Sequence, residues 1–185
     1  MKTKNKRVKD VDQPPEVGIV MGSDSDLEIM EETASVLKKF GVSYEMTVAS
    51  AHRNPKRTAE FAGTAHKRGI KVIVAGAGHA AHLAGTLAAF TLLPVIGVPI
   101  DSSCLQGMDS LLSTVQMPPG VPVATVSIGK PGARNAGILA VQILALSNQK
   151  LTKRLKAFKE ELAKQVDQKA KQLKDSSGKP VTSHT

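Results

Sequence analysis

The chain is predicted to fold as an α/β domain built on an open parallel sheet. Strand-like and helix-like segments alternate five times between residues 17 and 146, a rhythm that closes as a parallel sheet with helical crossovers. The first, third and fourth strand-like segments are apolar runs, as is common for strands of parallel sheets covered on both faces. Hydrophobic residues make up 41% of the 185, aromatics only 3%, and Trp is absent. The core must therefore be Val, Ile, Leu and Ala.

The elements follow in order. Residues 1–13 are polar and Lys-rich and end at Pro14-Pro15, so disorder is expected there. Val17–Met21 reads as the first strand, running into Gly22-Ser23-Asp24-Ser25-Asp26. A helix with Leu27, Met30, Ala34 and Leu37 on one side follows, capped by Ser25 or Asp24 and ended by Gly41. A second strand spans Tyr44 to Ala49, and a second helix spans Pro55 to Arg68 before Gly69. The third strand, Lys71–Ala75, enters the Gly/Ala-rich stretch 76–82, and Leu83 to Leu92 is helical. Pro94–Pro99 is the fourth strand, Leu111–Val115 a short helix, Val121–Ile128 the fifth strand and Gly132–Leu146 the last core helix.

The net charge of +9 invites a nucleic-acid reading, and its distribution argues against one. Residues 1–12 hold five Lys/Arg against two acids, and 149–185 hold ten against four; the middle holds ten of each. Basic character confined to tails, with no interleaved aromatics to stack bases, does not describe a nucleic-acid surface. The single Cys104 excludes an intrachain disulfide and a Cys-rich zinc site. No apolar run reaches membrane-spanning length, and no apolar stretch follows the basic N-terminus as in a secretory signal, so the cytoplasm is expected.

Chemistry concentrates in Val48-Ala49-Ser50-Ala51-His52-Arg53-Asn54-Pro55, where the second strand hands over to a helix. Ligands of open α/β sheets bind at such turns, where strand carboxyl ends meet helix N-termini. Arg53 offers charge for a phosphate, Ser50 a hydroxyl for one of its oxygens, and His52 a group that moves a proton. A capped helix start with a solvent-facing His and Arg is the plainer alternative. Loops 22–26 and 76–82 fall on the same sheet edge. Ser23 and Asp26 flank a helix start there, either receiving phosphate and ribose or simply capping. Gly76, Gly78 and Ala81 also fit the dinucleotide pattern G-x-G-x-x-A. Yet they follow the third strand, and the nearest acid, Asp101, lies 25 residues on where about 20 is usual. His79 and His82 have a spacing that metal ligands use, with no third ligand apparent.

Four motifs occur in order: Gly22-Ser23-Asp24-Ser25-Asp26, Ser50-Ala51-His52-Arg53, Ala80-Ala81-His82-Leu83, and Asp109–Ser113 continued by Val115-Gln116-Met117-Pro118. Together, over about residues 16–160, they resemble the class I N5-carboxyaminoimidazole ribonucleotide mutases. Relatives that use carbon dioxide directly carry Lys after the His, so Arg53 directs the resemblance to the mutase class. The resemblance implies a three-layer flavodoxin-like sheet in order 2-1-3-4-5 with an extra C-terminal helix, and a homo-octamer. It implies a small-molecule aminoimidazole ribonucleotide as substrate, supplied by an ATP-dependent carboxyaminoimidazole ribonucleotide synthetase in purine synthesis. It implies that neither metal nor other cofactor is used.

Carried across motif by motif, the resemblance makes His52 the general acid/base. Ser23, Ser50 and Arg53 take the phosphoribosyl end and Asp26 the ribose. Gly76, Ala77 and Gly78 lie along the migrating carboxylate with His82 nearby, and Ala51 and Leu83 complete the substrate contacts. Two positions depart from the pattern: His79 stands where Gly is usual and Ala84 where Pro is usual. An imidazole at 79 is expected at the pocket mouth, since one at its centre would exclude substrate.

These readings divide the chain into a disordered basic tail (1–15), a catalytic domain (16–148), an oligomerisation helix (149–174) and a second disordered tail (175–185). The helix is expected because Leu151, Leu155, Phe158, Leu162, Val166 and Leu173 form one stripe. A dinucleotide-binding oxidoreductase and a non-catalytic ribonucleotide-binding protein remain the alternative functions.

Overall fold

The computed structural model describes residues 13–176, with side chains to residue 173. Five parallel strands, β1 (Val17–Met21), β2 (Tyr44–Val48), β3 (Val72–Gly78), β4 (Val95–Ile100) and β5 (Ala124–Thr125), form one sheet in order β2-β1-β3-β4-β5. Helices α1 (Leu27–Phe40), α2 (Pro55–Thr64), α3 (Leu83–Ala89), α4 (Met108–Val115) and α5 (Gly129–Ala145) connect and cover the strands, and α6 (Gln149–Ser176) follows. The expected flavodoxin-like order is thus the observed one.

The layers follow from the strand pleat. Side chains alternate between faces, so Val20, Ile73 and Ala75 share one face. There they pack with Ala62 of α2 and Leu83, Ala84 and Leu87 of α3. On the opposite face Met30 of α1 lies against Gly76, and α1 meets α5 where Thr33 Oγ1 donates to the Ala133 carbonyl at 2.7 Å. Val17, Ile19, Ile73 and Val74 are completely buried, which is why β1 and β3 read as unbroken apolar runs rather than alternating ones.

Several boundaries differ from the sequence expectation. Only Ala124–Thr125 of the expected 121–128 strand pairs with β4. It is an edge strand, and Pro122 brings no N–H to a ladder. β3 continues to Gly78, because Ala77 and Gly78 pair with Pro99 and Ile100. The second helix tightens into a 3₁₀ turn at Ala65–Arg68, and α3 stops at Ala89, short of Leu92. α4 starts at Met108, directly after Gly107 in the left-handed region (φ 87°), and α5 starts at Gly129 with Pro131 in its first turn. Pro is tolerated there because its missing N–H would find no helical partner. The cap before α1 is Ser23 rather than Ser25 or Asp24: a 3₁₀ turn, Asp24–Asp26, precedes α1. Gly41 ends α1 at φ 63°, as expected.

The Pro14 carbonyl accepts a hydrogen bond from Ser43 Oγ at 2.8 Å. The expected disorder of the two tails otherwise falls largely on residues 1–12 and 177–185, which lie outside the described residues. The chain divides into two compact units at Leu144 and Ala145. In the second, the Asn148 side chain caps α6 by accepting from the Lys150 and Leu151 N–H groups. Along its stripe Leu151 is buried, whereas Leu162 is 45% and Val166 66% exposed. Among the described residues, no helix is long and apolar enough to cross a membrane.

Candidate functional site

Three loops meet at the carboxyl edge of β2, β1 and β3, and β1 in the middle joins them. The Gly22 N–H donates to the Gly76 carbonyl at 3.1 Å, and Ala49 N–H donates to the Met21 carbonyl at 2.9 Å. Arg53 reaches back across this edge. Its Nη2 donates to the Gly22 carbonyl at 2.8 Å and its Nε to Ser50 Oγ at 3.3 Å, while Ser50 Oγ also accepts from the Arg53 N–H at 3.2 Å. A hydroxyl that ties both ends of its neighbour fixes the turn, and Asn54 then caps α2 by accepting from the Arg57 N–H at 3.1 Å.

The result is an open cavity of about 430 Å³ whose lining includes Gly22, Ser23, Ser50, Arg53, Asn54 and Arg57. Ser23, Ser50 and Arg53, three residues expected at one phosphoribosyl end, therefore share one surface. Arg57, which the sequence reading passed over, shares it too. Its only signal was a second Arg four residues after Arg53, and a basic residue early in a helix reads as solvated surface.

Asp26 lies at the floor of the first loop and is buried. Its Oδ2 accepts from the Ser23 N–H at 3.1 Å, and Ser23 Oγ accepts from the Ser25 N–H, a reciprocal cap. Burial pushes the Asp26 carboxyl above its ordinary value. The Ser23 N–H and the charges of His79 and Arg53 pull it back, and Asp24 adds to the rise. The capping reading of Ser23 and Asp26 is therefore seen directly: the cap fixes the Asp26 carboxyl beneath Ser23, which itself lines the cavity.

The two histidines that the sequence separates by thirty residues touch. His52 Nε2 and His82 Nδ1 are 2.7 Å apart, with ring centroids at 4.9 Å and planes nearly perpendicular (89°). One of these nitrogens must carry the proton and the other accept it, so the facing atoms hold one proton between them. Both residues are exposed, in the loops that follow β2 and β3.

The third loop is shorter than expected. Gly76, Ala77 and Gly78 still belong to β3, so the loop proper is His79–His82. A side chain at Gly76 would run into Met30, and one at Gly78 would displace the Ser102 hydroxyl. His79 adopts φ 54°, and its Nδ1 lies 3.1 Å from Ser102 Oγ. Leu83 packs into the core with Ala51 against it, so only backbone atoms of Leu83 remain for a ligand. Across the β4 loop, Asp109 Oδ1 accepts from Ser103 Oγ at 2.9 Å, and that bond chiefly holds its carboxyl below the usual range. Among the described residues, no three His, Cys, Asp or Glu side chains cluster closely enough to hold a metal ion.

Known proteins resemble this chain in sequence and in fold. The N5-carboxyaminoimidazole ribonucleotide mutase of Pyrococcus abyssi is 60% identical over 148 residues, spanning 80% of this chain and 84% of its own. The protein of the same name from Bacillus subtilis is 56% identical over 162 residues, spanning 88% and 93%. The crystal structure of Treponema denticola PurE superposes with a TM-score of 0.76 at 28% identity, covering 90% of this chain and 99% of that one. The AIR carboxylase family model matches residues 16–165, a span that takes in every strand and all three loops of the cavity edge, and the chain belongs to that family.

Proposed function

We propose that this protein is a mutase of purine biosynthesis that converts N5-carboxyaminoimidazole ribonucleotide to 4-carboxy-5-aminoimidazole ribonucleotide. The observation that carries the chemistry is the His52–His82 contact beside the Arg53 cavity. It sets a group able to give and take one proton next to a cationic, hydroxyl-lined surface suited to a phosphate.

In the reaction the bond between the exocyclic nitrogen and its carboxylate breaks, releasing carbon dioxide beside the ring. The nitrogen takes a proton from His52. Ring carbon 4 attacks the carbon dioxide, and His52 then removes the carbon 4 proton, so the proton borrowed is returned. His82 holds the His52 ring in the orientation that both transfers need. Enclosure by substrate and loops keeps the carbon dioxide from water. Ser23, Ser50 and Arg53 bind the phosphate, Asp26 the ribose, and the backbone of Gly76, Ala77 and Gly78 lies along the migrating carboxylate. Ala51 and Leu83 set the floor of the site. The enzyme works in the cytoplasm on the product of an ATP-dependent synthetase and uses no metal or cofactor.

It acts as a homo-octamer in which α6 joins subunits. The exposed Leu162 and Val166 support this, since an isolated amphipathic helix is marginal in water until its apolar face is buried. Incubation with N5-carboxyaminoimidazole ribonucleotide, without metal, ATP or added bicarbonate, tests the assignment through product absorbance. Turnover supports the mutase. Tight product binding without turnover would make this a binding protein instead.

A further inference from the structure

The guanidinium group of Arg57 is fixed in the same way as that of Arg53, and nothing in the proposed chemistry yet uses it. Arg57 Nε donates to the Val48 carbonyl at 2.9 Å and its Nη2 to Thr47 Oγ1 at 3.0 Å. Arg53 uses the same two nitrogens, Nε on Ser50 Oγ and Nη2 on the Gly22 carbonyl. A guanidinium has two forks: a side fork made by Nε and one Nη, and an end fork made by both Nη. Each arginine spends its side fork on the carboxyl end of a strand or the turn after it. Among the described residues, Nη1 of neither donates a hydrogen bond. Both residues line the same cavity.

The charge there is one-sided. Asp24 is the only acidic residue of the lining, and its Oδ1 already accepts from Ser23 Oγ at 3.1 Å. Two guanidinium groups against one carboxylate leave positive charge in excess, with hydroxyls of Ser23 and Ser50 beside it. Orientation locked from one side with a planar pair of donors left on the other matches a tetrahedral oxyanion that accepts two parallel hydrogen bonds.

We infer that Arg57 is a second phosphate ligand, so that the ribonucleotide phosphate is held by the end forks of two arginines, Arg53 and Arg57, four residues apart across the start of α2. The inference rests on the proposed substrate being a phosphomonoester. It makes Arg57 a specificity determinant: the pocket accepts the phosphate dianion and discriminates against the corresponding nucleoside. The hydrogen bonds to Val48 and Thr47 then serve to aim the group as well as to tie down β2.

The test titrates the full-length protein and its Arg57→Met and Arg57→Lys variants with inorganic phosphate and with ribose 5-phosphate, followed by ³¹P NMR. Thr47→Val, which removes only the orienting bond, is the control. Loss of charge-assisted bonds to an ion weakens binding by about ten- to a hundredfold. That loss is expected for both phosphate probes in Arg57→Met. Arg57→Lys should fall most of the way with it, because an ammonium keeps the charge and not the fork. KM for the ribonucleotide should rise by the same factor with kcat within a few-fold, while affinity for the matching nucleoside stays unchanged. If Arg57→Met does not fold, Arg57→Lys carries the test alone. Unchanged phosphate affinity in a folded variant would overturn the inference, as would equal losses for nucleoside and ribonucleotide or a loss as large in Thr47→Val. Phosphate binding that needs Arg57 in a protein without turnover would defeat the mutase assignment and leave the paired arginines standing.

Discussion

On the proposed mechanism, replacing His52 by Asn removes the proton carrier and leaves the phosphate surface intact. The separation is structural: Arg53 is anchored on Gly22 and Ser50, and His52 on His82, with no bond between the two sets. Loss of general acid–base catalysis lowers the rate by about two to four orders of magnitude, equivalent to roughly 3–5 kcal/mol of barrier. Binding of product, measured by calorimetry, should stay within a few-fold. His82→Asn is a weaker lesion, since it removes one neutral hydrogen bond from the His52 ring, worth about 0.5–1.5 kcal/mol or roughly two- to tenfold in rate. Groups 2.7 Å apart that act as one unit are not additive. The double variant should therefore be no slower than His52→Asn alone. The assay is product absorbance at saturating substrate, with single turnovers to exclude a change in the limiting step. A His52→Asn enzyme within threefold of wild type would end the acid/base assignment. Full additivity in the double variant would show that His82 acts on the substrate and not through His52.

Three further outcomes follow from single features. His79→Gly removes the Ser102 contact but also relieves a non-glycine residue at φ 54°; each term is about 1 kcal/mol, so thermal stability should barely move. Its kcat should stay within a few-fold, and a fall like that of His52→Asn would place the imidazole in the chemistry. Burial raises the Asp26 carboxyl, so the stability this group contributes is present at acid pH and is lost as pH rises through its elevated folded value. Asp26→Asn keeps an acceptor for the Ser23 N–H; it should melt higher than wild type at neutral pH, lose that advantage in acid, and raise KM about tenfold through the ribose contact. A lower neutral melting point would contradict the burial argument. Truncation after Asn148 should give smaller oligomers in light scattering, because each Leu or Phe buried between subunits contributes roughly 1.5–3 kcal/mol; a truncated protein that stays octameric and fully active would remove α6 from the assembly.

How much of this was legible depended on how local its cause was. β1, β3 and β4 announced themselves because strands buried on both faces need unbroken apolar runs, and Gly41 and Pro55 mark helix ends by backbone conformation alone. β5 was overdrawn because Val121, Val123 and Val126 suit a strand, while pairing depends on the edge of β4 and on the N–H that Pro122 lacks. The starts of α4 and α5 were set too late for the opposite reason. Gly107 and Pro131 read as loop residues, yet one enters a helix through a left-handed φ and the other sits in a first turn. Ser23-x-x-Asp26 carried a capping-box spacing in plain view, but Ser25 and Asp24 competed for the same role and only the 3₁₀ turn decides between them.

The site itself divides along the same line. Ser50, His52 and Arg53 are neighbours in sequence, so their convergence needed only a strand that ends and a helix that begins. The contact of His52 with His82 needed the strand order, because β1 lies between the strands that carry them. In this order the chain leaves β1 in one direction to make β2 and returns past it to make β3, and the crevice opened at that reversal is where open α/β sheets place ligands. Gly22, at the end of the central strand, then becomes the common anchor: its N–H binds Gly76 of the third strand and its carbonyl binds Arg53 from the second. A displacement of Gly22 would move the cavity lined by Arg53 and the loop bearing His82 together. On the proposed mechanism the geometry between proton carrier and phosphate therefore depends on the backbone at the end of β1, and the side chains in the loops after its two neighbours can be read as attachments to it.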